Sequence, residues 1–167
     1  KDLPFSAQKE LFQMKTVTYI PALRFHWLTK IYDVIVGWLM PERRFKQALI
    51  NRARLCGYEA VLDFGVGTAT LSIMLKKALP GLQVTGIDVD ENVLDIAKSK
   101  IEGNDIHLKY YRGGTLPFED KSFDRAVSSL VIHHLTDSQK QVAFREMLRV
   151  LRPGGSLVIA DWGRPTN

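Results

Sequence analysis

The chain has 167 residues, of which 46% are hydrophobic and 25% are charged. These proportions are typical of one globular domain, and the length leaves no room for two ordinary ones. No apolar stretch approaches the roughly 20 residues that a membrane-spanning helix needs. The single cysteine, Cys56, excludes an internal disulfide and any multi-thiolate metal site, and it favours a reducing, cytoplasmic setting.

The net charge of +5 is unevenly distributed. Residues 1–60 carry ten Lys and Arg against five Asp and Glu, whereas residues 61–167 carry thirteen of each. The first 60 residues also hold nine of the sixteen aromatic residues. One interpretation is a solvated helical face over an ordinary core. The other is a surface for an anionic or lipid-associated partner, including a peripheral contact with a membrane.

The predicted elements divide the chain near residue 57. Before it, periodicity predicts an interrupted helical segment over residues 5–38 and a helix over 41–55. After it, strands are expected at residues 60–64, 83–88, 106–111, 123–130 and 156–161, and helices at 68–79, 90–102 and 137–151. This alternation predicts an α/β fold, with a Rossmann-like, open and mostly parallel sheet and helices on both faces. The sheet domain spans 58–167, and residues 1–57 form a helical N-terminal lid.

A glycine-rich turn follows the first predicted strand and contains Gly65 and Gly67. In open parallel sheets a ligand binds beyond the carboxyl ends of the strands, so this turn is the expected floor of a site. A dinucleotide is disfavoured, because Thr70 replaces the third glycine of that fingerprint. Asp63, two residues before the first glycine, would repel a pyrophosphate and favour a ligand that presents a cation.

The second predicted strand ends at Asp88. A carboxylate in that place accepts hydrogen bonds from both hydroxyls of a ribose. Each motif alone is equally well explained as a turn glycine or a helix-capping aspartate. Together they predict a nucleoside that carries a positive charge and no phosphate, and S-adenosylmethionine has that description.

Several further segments, in the same order along the chain, complete a pattern that covers about three quarters of it. They are residues 31–33, 61–68, 86–88, 116–124, 128–134 and 146–155. With these motifs the chain resembles a class I S-adenosylmethionine-dependent methyltransferase. It is most similar to the ubiquinone/menaquinone-biosynthesis-like group, which methylates small molecules. The motifs are specific for the cofactor fold and much less so for the substrate.

The resemblance implies a role for each matching residue. Asp63, Gly65 and Gly67 would hold the methionine end of the cofactor, with Asp63 near its ammonium group through a direct or water-mediated contact. Asp88 would bind the ribose hydroxyls, and Val89 would lie against the adenine.

Three more residues are implied near the methyl group and over it. Ser129 and Leu130 would lie beside the cofactor near the reacting methyl. Tyr32 belongs to the N-terminal segment that folds over the cofactor in similar enzymes; a packed core tyrosine is the alternative.

The sequence departs from the family at Arg112, which stands where relatives often carry an acidic residue that reaches the adenine amino group. Arginine has no acceptor for that group. Adenine recognition would therefore depend on the backbone around Gly113 and Gly114.

A second departure is that the chain stops at Asn167, whereas most relatives continue past the fifth strand, so the C-terminal strands are expected to be missing. The fifth strand would then be an exposed apolar edge, which favours pairing with another copy of the chain.

Candidates for a general base near the strand ends are His133, His134 and Asp161, each with a structural alternative as a loop or capping residue. No metal is expected, because His26 and His107 lack ligand spacing with the histidine pair.

The first hypothesis is thus an enzyme that methylates a small aromatic or lipophilic acceptor such as a quinol or phenol. The second is a cofactor-binding protein without independent turnover, which needs a partner chain or a missing C-terminal part. A nucleic-acid methyltransferase is disfavoured, because residues 128–131 lack the Asn/Asp-Pro-Pro-aromatic motif of amino-methylating relatives.

Overall fold

The computed structural model describes residues 42–161. The predicted interrupted helix over residues 5–38, including Tyr32, lies outside the described residues. The helices are α1 (Glu42–Ala53), α2 (Thr70–Ala78), α3 (Glu91–Lys100) and α4 (Asp137–Val150), with a short 3-10 helix at Ile132–His134. The strands are β1 (Ala60–Phe64), β2 (Gln83–Asp88), β3 (Ile106–Tyr110), β4 (Phe123–Ser129) and β5 (Leu151–Ala160).

The five strands form one sheet in the order β3-β2-β1-β4-β5, and every neighbouring pair is parallel. The order reverses beside β1, because the chain runs outward from β1 to β3 and then crosses to β4. Ligands bind beyond the carboxyl ends of strands at such a reversal. The predicted parallel sheet is therefore confirmed, and it places the turns after β1, β2 and β4 at one edge.

Helices cover both faces of the sheet, as the alternation predicts. On one face α1 and α2 bury Leu49, Ala53 and Leu75 against strand residues that include Val61 and Val127. On the other face α4 buries Met147 and Val150 against Leu62, Phe64 and Ala126. The two faces of β1 are thus covered by different helices, which is why four of its five residues, all except Asp63, are apolar. Helix α1 belongs to the segment 1–57 that is predicted as a lid. In the structure this helix packs directly on the sheet.

The starts of two elements differ from the sequence-based prediction by two residues or more. Helix α2 begins at Thr70 and not at residue 68, because Ala69 has a left-handed backbone with φ of 62°. Strand β5 begins at Leu151 and not at residue 156, because Leu151 already pairs with Phe123. The register then shifts between Phe123 and Arg125, so the Arg-Pro-Gly-Gly segment forms an irregularity within the strand and not a turn before it.

A clamp on α4 holds the loop between β3 and β4. The guanidinium of Arg149 donates to the carbonyl oxygens of Leu116 and Phe118, at 3.0 and 2.9 Å, and to Asp120 at 2.7 Å. It also pairs with Glu146, whose Oε2 accepts the Leu116 amide at 2.8 Å. These contacts fix the loop that follows the end of β3, where adenine recognition is expected.

Within residues 42–161, no helix has both the length and the apolar character that crossing a membrane requires.

Candidate functional site

The glycine turn after β1 folds back over the end of β2. The backbone amides of Gly65 and Val66 both donate to the carbonyl oxygen of Ile87, at 2.9 and 3.0 Å. A side chain at Gly86 would meet Val66 at 2.5 Å, so the missing Cβ there lets the turn lie this close to β2. The turn is therefore a rigid shelf at the carboxyl edge of the sheet.

The two glycines of this shelf have different surroundings. A Cβ on Gly65 would lie 2.3 Å from a methyl carbon of Val131, so Gly65 is needed for packing against the segment after β4. A Cβ on Gly67 would meet nothing within 4 Å, although its φ of +55° also favours glycine. Gly113 and Gly114, after β3, are open in the same way, with φ of +80° and +78°. Exposed backbone at these three glycines is what a ligand needs for close approach.

Asp88 lies beside this open shelf and is bonded to it. Its Oδ2 accepts the Gly67 amide at 2.9 Å, and its Oδ1 accepts the amides of Val89 and Asp90, at 2.8 and 3.1 Å. Burial raises the pKa of Asp88, while these three amides oppose the shift. A carboxylate oxygen has two lone pairs, so Oδ2, which accepts one amide, retains acceptor capacity for a hydroxyl, whereas the two amides already use both lone pairs of Oδ1.

Asp63 is placed differently from Asp88. Its side chain is only 1% exposed, and its Oδ2 accepts a hydrogen bond of 2.6 Å from the Ser72 hydroxyl on α2. Burial raises its pKa to about 6, and the nearby charge of Asp88 adds to this, whereas Ser72 and Lys46 oppose it. The Asp63 carboxylate is therefore buried against α2, and its predicted contact with an ammonium group stays a prediction.

The segment after β4 combines a strained backbone with an unsatisfied hydroxyl. Leu130 has φ of 59°, which is rare for a bulky residue, and its amide donates to the Ala160 carbonyl at 2.9 Å. The Oγ of Ser129 is buried without a hydrogen-bond partner. Such features concentrate at ligand sites. Val131, next along the chain, contacts the Gly65 turn, so this segment borders the shelf.

His133 and Asp161, which are 28 residues apart, meet directly. The Nδ1 of His133 lies 2.6 Å from Oδ1 of Asp161. The Oδ2 of Asp161 accepts the amides of Ile132 and His133, at 2.6 and 3.2 Å. The His134 ring lies against that of His133, with centroids 3.9 Å apart, and burial lowers the pKa of His134. The structure thus joins two of the three predicted catalytic residues and places the third beside them.

Tyr111 is a residue that the functional interpretation of the sequence missed. It directly follows β3, its amide donates to the Asp88 carbonyl at 3.1 Å, and its ring packs edge-on against Phe64. Burial raises the pKa of the Tyr111 hydroxyl, and the charge of Asp88 adds to this. Its position at a strand end, matching that of Asp88, is the signal that could have identified it. Arg112, the next residue, is exposed.

Two open clefts lie elsewhere, beside β5. One, of about 320 Å³, is lined by two arginines, which pair with carboxylates: Arg125 with Glu59 and Arg152 with Asp124, at 2.8 and 2.7 Å. The other, of about 610 Å³, is lined by residues 52–54 at the end of α1 and by residues of β5 that include Leu157, Val158 and Ile159. Neither contains a predicted site residue. Within the described part of the chain, no cluster of three or more metal-ligating side chains occurs.

The family follows from the sequence match together with this fold. Residues 61–155, more than half of the chain, match the model of a methyltransferase domain. The chain therefore belongs to the methyltransferase domain family, which confirms the resemblance drawn from its motifs.

Individual curated proteins show a more specific similarity to this chain than the family model does. The chain is 41% identical over 107 residues to a demethylmenaquinone methyltransferase from Staphylococcus haemolyticus, covering 63% of this chain and 44% of that protein. It is 33% identical over 129 residues to a ubiquinone/menaquinone biosynthesis C-methyltransferase from Syntrophotalea carbinolica, covering 75% and 53%. The chain thus spans about half the length of the curated relatives that it matches.

Solved structures agree with this assignment. A protein from Methanococcus maripaludis, assigned as an S-adenosyl-L-methionine-dependent methyltransferase, superposes with a TM-score of 0.69 at 28% identity, covering 80% of this chain and 62% of that one. A SAM-dependent methyltransferase from Aquifex aeolicus has the same fold, with a TM-score of 0.70 at 21% identity, covering 86% and 76%.

Proposed function

We propose that this chain binds S-adenosylmethionine at the carboxyl edge of its sheet and takes part in methyl transfer to a small, lipophilic hydroxyaromatic acceptor such as a quinol. The observation that carries the proposal is the Gly67–Asp88 pair. An open glycine backbone lies directly beside a strand-end carboxylate, and the two are joined by a hydrogen bond of 2.9 Å.

The described residues fit the cofactor. Asp88 offers an acceptor at Oδ2 for a ribose hydroxyl, and Gly67 offers uncovered backbone for the methionine end. The open backbone at Gly113 and Gly114 suits the adenine, which compensates for Arg112. The buried hydroxyl of Ser129 lacks a partner that a bound ligand would supply.

The cofactor, when bound, supplies an electrophilic methyl group on a sulfonium. The residues of the chain then have to align the acceptor with that group and exclude water. Leu130 and Val131, beside the shelf, provide apolar surface for this. We assign Tyr32 and the basic, aromatic segment before α1 to the lid and to a peripheral membrane contact, where a lipophilic acceptor would be collected.

The acceptor class is proposed from the relatives. The matched proteins from Staphylococcus haemolyticus and Syntrophotalea carbinolica are named for demethylmenaquinone and for ubiquinone/menaquinone biosynthesis. An aromatic, lipophilic acceptor also agrees with the nine aromatic residues in the first 60.

Calorimetric titration with S-adenosylhomocysteine, the demethylated product, tests the site. We expect Gly67→Ala to weaken binding at least tenfold, about 1.4 kcal/mol, because the new methyl group projects into the space that the ligand needs. The matched control is Gly103→Ala in the turn before β3. Gly103 has φ of +78° and is equally open, so it carries a similar backbone cost without touching the site.

Equal affinity of the two variants would contradict this placement of the cofactor. Binding with no methyl transfer to any quinol or phenol would favour the alternative function, a cofactor-binding protein that needs a partner chain. That alternative draws on Arg112, which has no acceptor for the adenine amino group.

A further inference from the structure

We propose that His133 is the proton acceptor for the methyl acceptor's hydroxyl, and that Asp161 is a positioning residue that holds His133 in the required tautomer. The inference rests on the proposed function and adds to it a chemical requirement of the substrate. The acceptor must carry an ionisable hydroxyl, as a quinol or phenol does.

The first argument is the position of the pair. Val131 packs on the glycine turn and Leu130 carries the strained backbone, so the 3-10 helix that contains His133 starts at the border of the shelf. The His133 side chain is 30% exposed, whereas that of Asp161 is 11% exposed. The imidazole therefore remains accessible to a small molecule, while its carboxylate partner is held inside.

The second argument is the way in which Asp161 is fixed. Its two oxygens have separate tasks: Oδ2 accepts two backbone amides of the 3-10 helix, and Oδ1 faces Nδ1 of His133 at 2.6 Å. A carboxylate bound in this way is an acceptor only, so the proton of a neutral His133 belongs on Nδ1. This leaves the lone pair on Nε2 as the basic atom of the ring.

The proton step is then simple. The O–H bond of the acceptor breaks, an N–H bond forms at Nε2 of His133, and the electron pair stays on the acceptor oxygen as a phenolate. The resulting imidazolium is paired with the Asp161 carboxylate. A phenolate is the more electron-rich nucleophile, at oxygen or through the ring at carbon. Positioned bases of this kind contribute about 10²–10⁴-fold in rate.

A structural role for the same contact makes a different prediction. If Asp161 served only to cap the 3-10 helix, the tautomer of His133 would be unimportant. Long-range ¹H–¹⁵N spectra of the histidine rings, recorded near pH 8 without cofactor, separate the two cases. We expect the Nδ1–H tautomer for His133, identified by the signal that disappears in His133→Gln, and the Nε2–H tautomer in Asp161→Asn, whose amide can donate to Nδ1.

Turnover is measured on the same variants with 1,4-dihydroxynaphthalene as the probe acceptor. His133→Gln and Asp161→Asn are each expected to lower methyl transfer at least 100-fold while S-adenosylhomocysteine affinity stays within twofold of the parent chain. The control is His107→Gln on β3. It removes an exposed histidine that is also near a carboxylate, because its Nε2 lies 3.9 Å from Oδ1 of Asp105.

An Nε2–H tautomer in the parent chain, or full turnover by His133→Gln, would overturn the inference. Should Asp161→Asn fail to fold, His133→Gln and the spectrum of the parent chain still decide it. Failure of the parent chain to bind S-adenosylhomocysteine would instead contradict the proposed function, and the tautomer would then be judged by the spectra alone.

Discussion

Asp63 lies one residue before the end of β1 and Asp88 ends the neighbouring parallel strand β2, yet their surroundings give them different chemistry. Asp88 is held by three backbone amides and is in part exposed, so it stays available to a ligand. Asp63 is enclosed, and its hydrogen bonds from Ser72 do not offset the loss of hydration. A carboxylate with so little compensation destabilises the fold when ionised, as is common for residues retained for binding.

The variant Asp63→Asn tests how much the ionised Asp63 carboxylate destabilises the fold. Because the pKa of Asp63 rises from 3.8 to about 6 on folding, the folded chain binds the extra proton between these values. The unfolding free energy therefore falls as pH rises through this window, by about 3 kcal/mol for about two pKa units. Urea unfolding at several pH values should show a smaller fall in Asp63→Asn than in the parent chain, because Asp88, whose pKa burial also raises, still titrates in the variant. The control Asp95→Asn changes an exposed residue and should show the same fall in unfolding free energy as the parent chain. Identical dependence of the unfolding free energy on pH in all three chains would refute the raised pKa of Asp63.

Asp88→Asn tests the ribose contact. The asparagine keeps one oxygen for the backbone amides but loses an acceptor and the charge, so S-adenosylhomocysteine binding should weaken by about 1.5–3 kcal/mol. Asp95→Asn on α3, which makes the same charge change at the surface, is the control in calorimetry. Unchanged affinity in Asp88→Asn would place the cofactor elsewhere.

At the scale of elements, α4 does more than cover the sheet. Arg149 and Glu146 connect its last two turns to the loop that follows β3, through bonds that span 29–33 residues. Two of the family motifs, residues 116–124 and 146–155, thus contact each other and form one clamp. Their role in this structure is to hold the loop, and the loop in turn borders the site.

Arg149→Met should therefore loosen the loop and the fold together. It leaves Glu146, 12% exposed at its side chain, without its cation, and we expect a loss of about 2–3 kcal/mol, below the value for a fully buried pair. The Leu116 amide should also lose hydrogen-exchange protection. Lys140→Met breaks an exposed pair with Asp137 and should cost under about 0.5 kcal/mol. Equal losses in the two variants would show that the clamp is not stabilising.

At the scale of the whole molecule, β5 closes one side of the described sheet. It contributes Leu157, Val158 and Ile159 to the lining of a cleft of about 610 Å³, which Arg52 and Arg54 also line. An apolar strand edge favours pairing with another copy, whereas facing arginines oppose it.

We therefore expect the 167-residue chain to self-associate through β5, more strongly as salt screens the arginines. The Ala160 carbonyl accepts the Leu130 amide, so Ile159, which alternates with it, directs its own N–H outward. Ile159→Pro removes that N–H without breaking the pairing with β4, and it should shift sedimentation toward the monomer. A monomer mass that is independent of concentration and salt would contradict the prediction.

The sequence by itself determined the order of strands and helices, the glycine turn and the strand-end aspartates. These depend on local periodicity and turn chemistry, and a parallel sheet then brings the strand ends to one edge. Asp90, the first residue of the predicted helix 90–102, is a clear example, since aspartate is a favoured N-cap residue and its side chain accepts the amides of Asn92 and Val93.

Only the tertiary structure decided how those residues are used. In the folded chain Asp63 is buried against Ser72, and β5 begins at Leu151. Gly65 packs against Val131, whereas Gly67 has no neighbour within 4 Å of the position of a Cβ. It also joined His133 to Asp161 across 28 residues. Each of these outcomes depends on which distant segment packs against a residue and on how much water that packing removes, and neither quantity is written in the local sequence.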